Sequence, residues 1–155
     1  MTKRMVAAAL AMAGMFVALY LTLYKVGIIG QLTCNIGSCE TVNTSQWSTL
    51  FGQPVALWGL GFYVATLFVT IFGLADRYAD SRGLSLLLVA MSGAGVLFSA
   101  WLTYLELFVI HAICMWCVIS AIIVTCIFAV SVMDLREVSG AVEYADEGEG
   151  LGLRA

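Results

Sequence analysis

The sequence predicts an all-α integral membrane protein, a bundle of four transmembrane helices with a long extracytoplasmic loop that carries a short amphipathic helix. Three observations predict it. Of 155 residues, 62% are hydrophobic and only 11% charged, with a mean hydropathy of +1.00, far outside the range of soluble globular domains. Four apolar runs, at about residues 5–24, 55–75, 84–110 and 113–133, each reach the roughly 20 residues a helix needs to cross a bilayer. The basic residues sort to one side of such a bundle.

The first run follows Lys3 and Arg4. It exceeds the roughly 7 to 15 residues of a secretory signal core and no small-x-small cleavage site follows, so an uncleaved helix is expected. With the amino terminus in the cytoplasm, Lys3, Arg4, Arg77, Arg82, Arg136 and Arg154 share the cytoplasmic side, and Lys25 alone lies outside. The link at residues 25–54 is then extracytoplasmic, and its length exceeds most connections between packed elements, as functional loops do. Within it TSQWSTLF reads as a short helix capped by Thr44 or Ser45 and ended by Gly52 and Pro54. Trp47, Leu50 and Phe51 would share its apolar face and lie over the bundle mouth as a lid, or serve only as interfacial packing.

The second, third and fourth runs complete a membrane domain at residues 1–137, and a single proline beside 15 glycines suits closely packed membrane helices. Glu143, Asp146, Glu147 and Glu149 sit among glycines in a stretch too polar to bury itself, so residues 138–155 are expected to form a disordered acidic cytoplasmic tail. A net charge of -3 excludes a nucleic-acid binder.

Four of the five cysteines gather at one face of the membrane. Cys34 and Cys39 lie in the outer loop and Cys114 and Cys117 open the fourth helix, in a compartment where disulfides form and persist. Residues three apart share a helix face, so both sulfurs of the C-x-x-C pair can point into the bundle. The unpaired N–H groups and dipole of a first turn favour the thiolate, the form that attacks disulfides and electrophiles. Such a thiolate beside lipid could reduce a lipid-soluble acceptor, and an inert disulfide stapling the helix start is the alternative. Cys126, nine residues deeper, reads as a small apolar core residue. A zinc module fits poorly, because the two pairs stand 75 residues apart from Cys39 to Cys114. A transporter fits poorly too, since Glu106 apart no helix core carries a charge.

The run CNIGSCETVNTSQWSTLFGQPVALWGLGFY, followed after a third helix by CMWC, resembles the vitamin K epoxide reductase family, in particular its prokaryotic thiol-oxidase members. The resemblance covers roughly residues 10–133. It is carried by the loop cysteine pair, Ser45 six residues after Cys39 with Trp47 close by, Phe51-Gly52, Gly59 and the C-x-x-C at a helix start. It implies a four-helix bundle around a quinone, ubiquinone or menaquinone, with electrons relayed through two cysteine pairs. Cys34 would face an external partner, Cys39 would exchange disulfides with Cys114, and Cys117 would donate electrons beside the quinone ring. The unrelated quinone-linked thiol oxidase of bacteria carries its pairs in the reverse order.

The implied activity is that of a quinone-dependent thiol oxidase, with vitamin K quinone or epoxide reduction proper as the alternative, or a non-enzymatic transport or structural protein with stabilising disulfides. Animal members of the family carry a tyrosine four residues after the second cysteine of C-x-x-C, where this chain has Ala121, and that favours simple quinone reduction. The loop pair here is C-x4-C, closer together than in the animal enzymes. Many prokaryotic relatives carry a fused thioredoxin-like domain, and this chain ends soon after the fourth helix, so a separate thioredoxin-like extracytoplasmic protein is the expected partner. Candidate quinone contacts are Ser45, Trp47 and Phe51 from the lid and Trp101 and Tyr104 from the third helix. Glu106 is expected at the outer interface or within the bundle, as a structural acid or as a proton path for the quinone. His111 either lowers a thiol pKa or sits in water.

Overall fold

A computed structural model describes residues 2–75 and 81–152, with side chains described to Gly140. Four helices long and apolar enough to cross a membrane follow the four apolar runs: α1 at Thr2–Lys25, α3 at Val55–Phe72, α4 at Arg82–Leu105 and α5 at Met115–Gly152. The small helix α2, Cys39–Thr44, lies in the loop between α1 and α3. The protein is thus an all-α, multi-pass membrane bundle. The start of α1, the end of α3 and the start of α4 share one end, and the loop and the α4–α5 link share the other.

α1 forms the seam of the bundle. Its buried residues Ala7, Ala11, Gly14, Ala18 and Leu21 recur at alternating four- and three-residue spacing, the pattern of a helix gripped along one stripe. All but the last are small, which lets α3 and α5 approach closely where apolar burial alone gives no drive to pack. The ring of Tyr63 from α3 occupies the space where a Cβ on Gly14 would stand. The Tyr63 hydroxyl donates to the Ser120 carbonyl of α5 at 2.9 Å and bonds the Ser120 hydroxyl at 2.8 Å, fixing three helices at one level.

The end that carries the termini is tied by Arg4. Its guanidinium bonds the Asp134 carboxylate of α5 at 3.1 Å, the Gly73 carbonyl just after α3 at 2.6 Å and the Ser85 hydroxyl in the first turn of α4 at 2.9 Å, so one side chain from α1 ties all four long helices. Lys3 pairs with Glu137 beside it. Two of the basic residues assigned to this side, Arg77 and Arg154, lie outside the described residues.

Two expectations are corrected. α5 continues as helix to Gly152, where composition predicts a disordered end from residue 138. The stretch holds no proline and interleaves Ala141, Glu143, Ala145 and Glu147 among its glycines, residues that favour helix without needing a buried face. The lid helix expected at TSQWSTLF is absent. In its place stand a 3-10 turn at Gln46–Ser48 and a hairpin pairing β1, Thr49–Leu50, with β2, Gln53–Pro54. Phe51 and Gly52 take φ of 54° and 78°, the primed turn that suits a two-residue hairpin. Eight residues with a β-branched Thr49 hold too little helical propensity to resist it. The loop's amphipathic helix is instead α2, which turns Cys39, Val42 and Asn43 inward.

Candidate functional site

The site forms where the loop docks on the α4–α5 link. After Leu105 the chain widens into one π-helical turn, Glu106–Ile110, and His111 reverses it at φ 54°. Residues 112–114 are then free to accept the loop as a short antiparallel bridge between Gly37 and Cys114, with the Ser38 N–H donating to the Ile113 carbonyl at 3.0 Å. Gly37 is required there twice. Its φ of +85° is left-handed, and a Cβ would strike the Ile113 carbonyl.

That bridge starts α2 directly over the C-x-x-C. Cys39 and Cys114, 1% and 0% exposed, are buried in one cluster with Leu21, Leu32 and Val42. Cys39 is disulfide-bonded to the half-buried Cys34, whereas Cys114 and Cys117 are free thiols. Asn43, one turn along α2, donates through Nδ2 to the Cys39 carbonyl at 3.0 Å and approaches Cys114 Sγ at 3.9 Å. Trp116, between the two cysteines of the motif, donates its indole N–H to the Thr33 carbonyl at 3.0 Å and packs on Tyr20 with ring centres 5.1 Å apart. The Tyr20 hydroxyl accepts the Thr33 N–H at 3.1 Å, so the segment leading to Cys34 is held from both sides.

Cys117 opens onto a cavity of about 370 Å³. Its walls include Phe62, Phe98, Leu102 and Val124, and polar groups collect at the loop end: Lys25, Asn43, Ser45, Ser48 and Glu106. The Lys25 ammonium donates to the Asn43 carbonyl at 2.5 Å and to the Ser48 hydroxyl at 2.6 Å, which ties the end of α1 to the cavity roof. A pocket of a few hundred Å³ with apolar walls and a few polar groups at one end is the usual form of a small-molecule site. It suits a planar apolar ring bearing carbonyl acceptors, so the residues present fit a quinone.

Of the predicted quinone contacts, Ser45 and Trp47 line this cavity and Phe51, Trp101 and Tyr104 do not. Phe51 projects from the hairpin tip, 88% exposed. The cavity face runs through Gly95, Phe98, Ser99 and Leu102 of α4 and on to Glu106 in the π turn. Trp101 and Tyr104 fall on the outward face with the exposed Leu97 and Phe108, with Tyr104 and Phe108 stacked at 4.9 Å as lipid-facing aromatics. Cys126 is also corrected: it is exposed on the outer surface of α5 beside Thr125 and Ile122, not in the core. Ala121 lines that same outer groove, whereas Ser120 and Val124 are the residues after the motif that reach the cavity. His111 is exposed to solvent.

Glu106 is inside the bundle, 5% exposed, and its Oε2 accepts the Cys114 backbone N–H at 3.1 Å. Glu106 and Cys117 line the same cavity. The Cys117 thiol holds Cys114 below the ordinary thiol range, helped by the backbone N–H groups of Cys117 and Trp116 at the helix start and opposed by burial and the Glu106 charge. The sequence reading missed Asn43, Gly37 and Trp116. Trp116 could have been found as the large aromatic inside the motif, whereas the roles of Gly37 and Asn43 depend on how the loop folds back. A model of the vitamin K epoxide reductase family matches residues 5–132, most of the chain, and no curated protein matches it.

Proposed function

The chain belongs to the vitamin K epoxide reductase family and is a membrane redox enzyme, and from that premise we propose that it is a quinone-dependent thiol oxidase. It takes electrons from a separate thioredoxin-like protein outside the cytoplasm and passes them to ubiquinone or menaquinone, sustaining disulfide formation in exported proteins. The supporting observation is the unbroken line of sulfurs: Cys34 at the loop surface, disulfide-bonded to Cys39, Cys39 buried with Cys114, and Cys117 on the cavity wall.

In this reading a partner thiolate attacks the Cys34–Cys39 disulfide at Cys34, the accessible sulfur, and the freed Cys39 attacks a Cys114–Cys117 disulfide at Cys114. Asn43 steadies the contact by holding the Cys39 carbonyl while facing Cys114. The inner pair is thereby reduced and the loop pair reoxidised, an arrangement with which free Cys114 and Cys117 beside a Cys34–Cys39 disulfide are compatible. A quinone in the cavity supplies the two-electron sink that converts the dithiol back to a disulfide. The family's animal tyrosine is replaced by Ala121, which faces the outer groove, and simple quinone reduction is therefore favoured over epoxide chemistry. The excess of Lys and Arg at the opposite end supports an arrangement with the cysteines on the extracytoplasmic side and both termini in the cytoplasm.

The test is anaerobic quinone reduction by the purified protein in detergent, supplied with a reduced thioredoxin-like protein and either quinone. Turnover that disappears in Cys117→Ser supports the reading. No turnover with either quinone and several donors, in protein with its disulfides formed, would refute it.

A further inference from the structure

Resting on the thiol-oxidase reading, we propose that Glu106 is the general base of the inner cysteine pair, taking the Cys117 proton and holding it at the cavity wall while the pair is oxidised. Three observations carry this. The carboxylate is buried in a membrane-spanning segment, where an ionisable group is costly and is retained for a task. Its position is fixed by the Cys114 N–H at 3.1 Å, which anchors Oε2 to the backbone of the redox motif rather than to the helix that carries it. It lines the same cavity as Cys117, the thiol of the motif that opens onto it.

The π turn at Glu106–Ile110 makes this possible. A wider turn at the end of α4, followed by the reversal at His111, lets the acid meet the start of α5 eight residues later. Thiol oxidation needs such a group, because the reactive form is the thiolate and the cavity walls are apolar, with little water to take a proton. The other titratable groups facing the cavity are engaged elsewhere. Lys25 of α1 is bound to the Asn43 carbonyl and the Ser48 hydroxyl, and Tyr63 of α3 is bound to Ser120. Cys114, just before α5, is not among the cavity-lining residues and is the partner thiol itself.

The balance is simple. The S–H bond of Cys117 breaks and an O–H bond forms on Glu106. The Cys114–Cys117 bond then forms as two electrons pass to the quinone. Glu106 returns its proton with them and the second proton is the one Cys114 gives up, so that dithiol and quinone become disulfide and hydroquinone and Glu106 ends as the carboxylate it was.

Two readouts test this, and one does not depend on quinone. With the inner pair reduced, alkylation of Cys117 by a neutral maleimide is followed by mass spectrometry against pH, with Cys126 as internal control. Glu106→Gln is expected to slow Cys117 alkylation and quinone reduction by roughly a hundredfold, the scale of general-base catalysis. Cys126 alkylation and the reduction of the Cys34–Cys39 disulfide by a small dithiol should not change. A purely electrostatic or structural acid predicts the opposite sign, because removing a negative charge beside the thiols makes thiolate formation easier. Cys117 alkylation unchanged or faster in Glu106→Gln would therefore overturn the proposal. Glu106→Asp keeps the charge and retracts it, and is expected to give intermediate slowing. That variant carries the test if Glu106→Gln fails to fold. If wild type reduces no quinone while its Cys117 alkylation still depends on Glu106, the thiol-oxidase reading falls and the base assignment stands.

Discussion

The bundle buries an acid at each end, and the two are treated differently. At the termini end Asp134 meets the Arg4 guanidinium at 3.1 Å and the Ser85 hydroxyl at 2.7 Å, within a network that also takes in the Gly73 carbonyl. At the loop end Glu106 joins no ion pair among the described residues, and its hydrogen bond is to the backbone of Cys114. A buried carboxylate with a fixed counter-charge holds helices in register and has no proton to exchange. One without a cation, set among thiols, is available for chemistry. The same residue class is thus a tie at one end of the membrane and a reagent at the other.

The largest effects expected follow from the sulfurs at the reagent end. Cys114→Ser and Cys117→Ser should each reduce quinone-coupled thiol oxidation to background, while Cys126→Ser, on the outer surface of α5, should stay near wild type. Equal loss in Cys126→Ser would break the division of the cysteines. At the tie end the loss should be in stability instead. Arg4→Ala strands Asp134 and should cost about 3–5 kcal/mol, read as the thermal midpoint in detergent, with turnover per folded molecule unchanged. Replacing both partners, as Arg4→Met with Asp134→Leu, should recover most of that stability, because an apolar pair leaves no buried charge. If the double variant stays as unstable as Arg4→Ala, the network does more than neutralise one acid.

A smaller effect belongs to the docking bridge. Gly37→Ala forces a side chain into a left-handed conformation and against the Ile113 carbonyl, a strain of about 1–3 kcal/mol. Trapping of a Cys39–Cys114 mixed disulfide, in protein carrying Cys34→Ser and Cys117→Ser, should fall several-fold, with the thermal midpoint of the bundle little changed. Undiminished trapping would mean that the loop reaches Cys114 without the bridge.

How much of this was legible in the sequence follows the range of the interactions. The four helices were readable because hydropathy over 20 residues is a local sum: α1, α3 and α4 follow the predicted runs with ends shifted by a few residues, and α5 begins with its run and continues past it to Gly152. The cysteine pairs were readable from spacing and from the resemblance. The cavity contacts were only half readable, since Trp101 and Tyr104 are near the right level but on the wrong face, and a span apolar all round gives no phase to choose between faces. The loop was misread because Phe51 and Gly52 decide a hairpin through two positive φ angles, while the apolar spacing of Trp47, Leu50 and Phe51 imitates a helix. Asp134 with Arg4, and Glu106 with Cys114, are pairs separated by 130 and 8 residues, and only the fold brings them together.

The smallest effect expected concerns the acidity of Cys114, and it probes how the two thiols and the acid share charge. With the inner pair reduced, the Cys117 thiol donates to Cys114 and holds its pKa below the ordinary thiol value. Folding therefore favours the thiolate of Cys114. Its contribution to stability is present at pH values above the unfolded thiol's pKa and is lost as pH falls through the lower, folded value. Alkylation of Cys114 should accordingly persist to lower pH than that of an unperturbed thiol. Cys117→Ser keeps a donor near Cys114 and should retain most of the shift, whereas Cys117→Ala removes the donor and should move the alkylation midpoint upward. If the midpoint stays put in Cys117→Ala, the shift belongs to the N–H groups at the start of α5 and not to the neighbouring thiol.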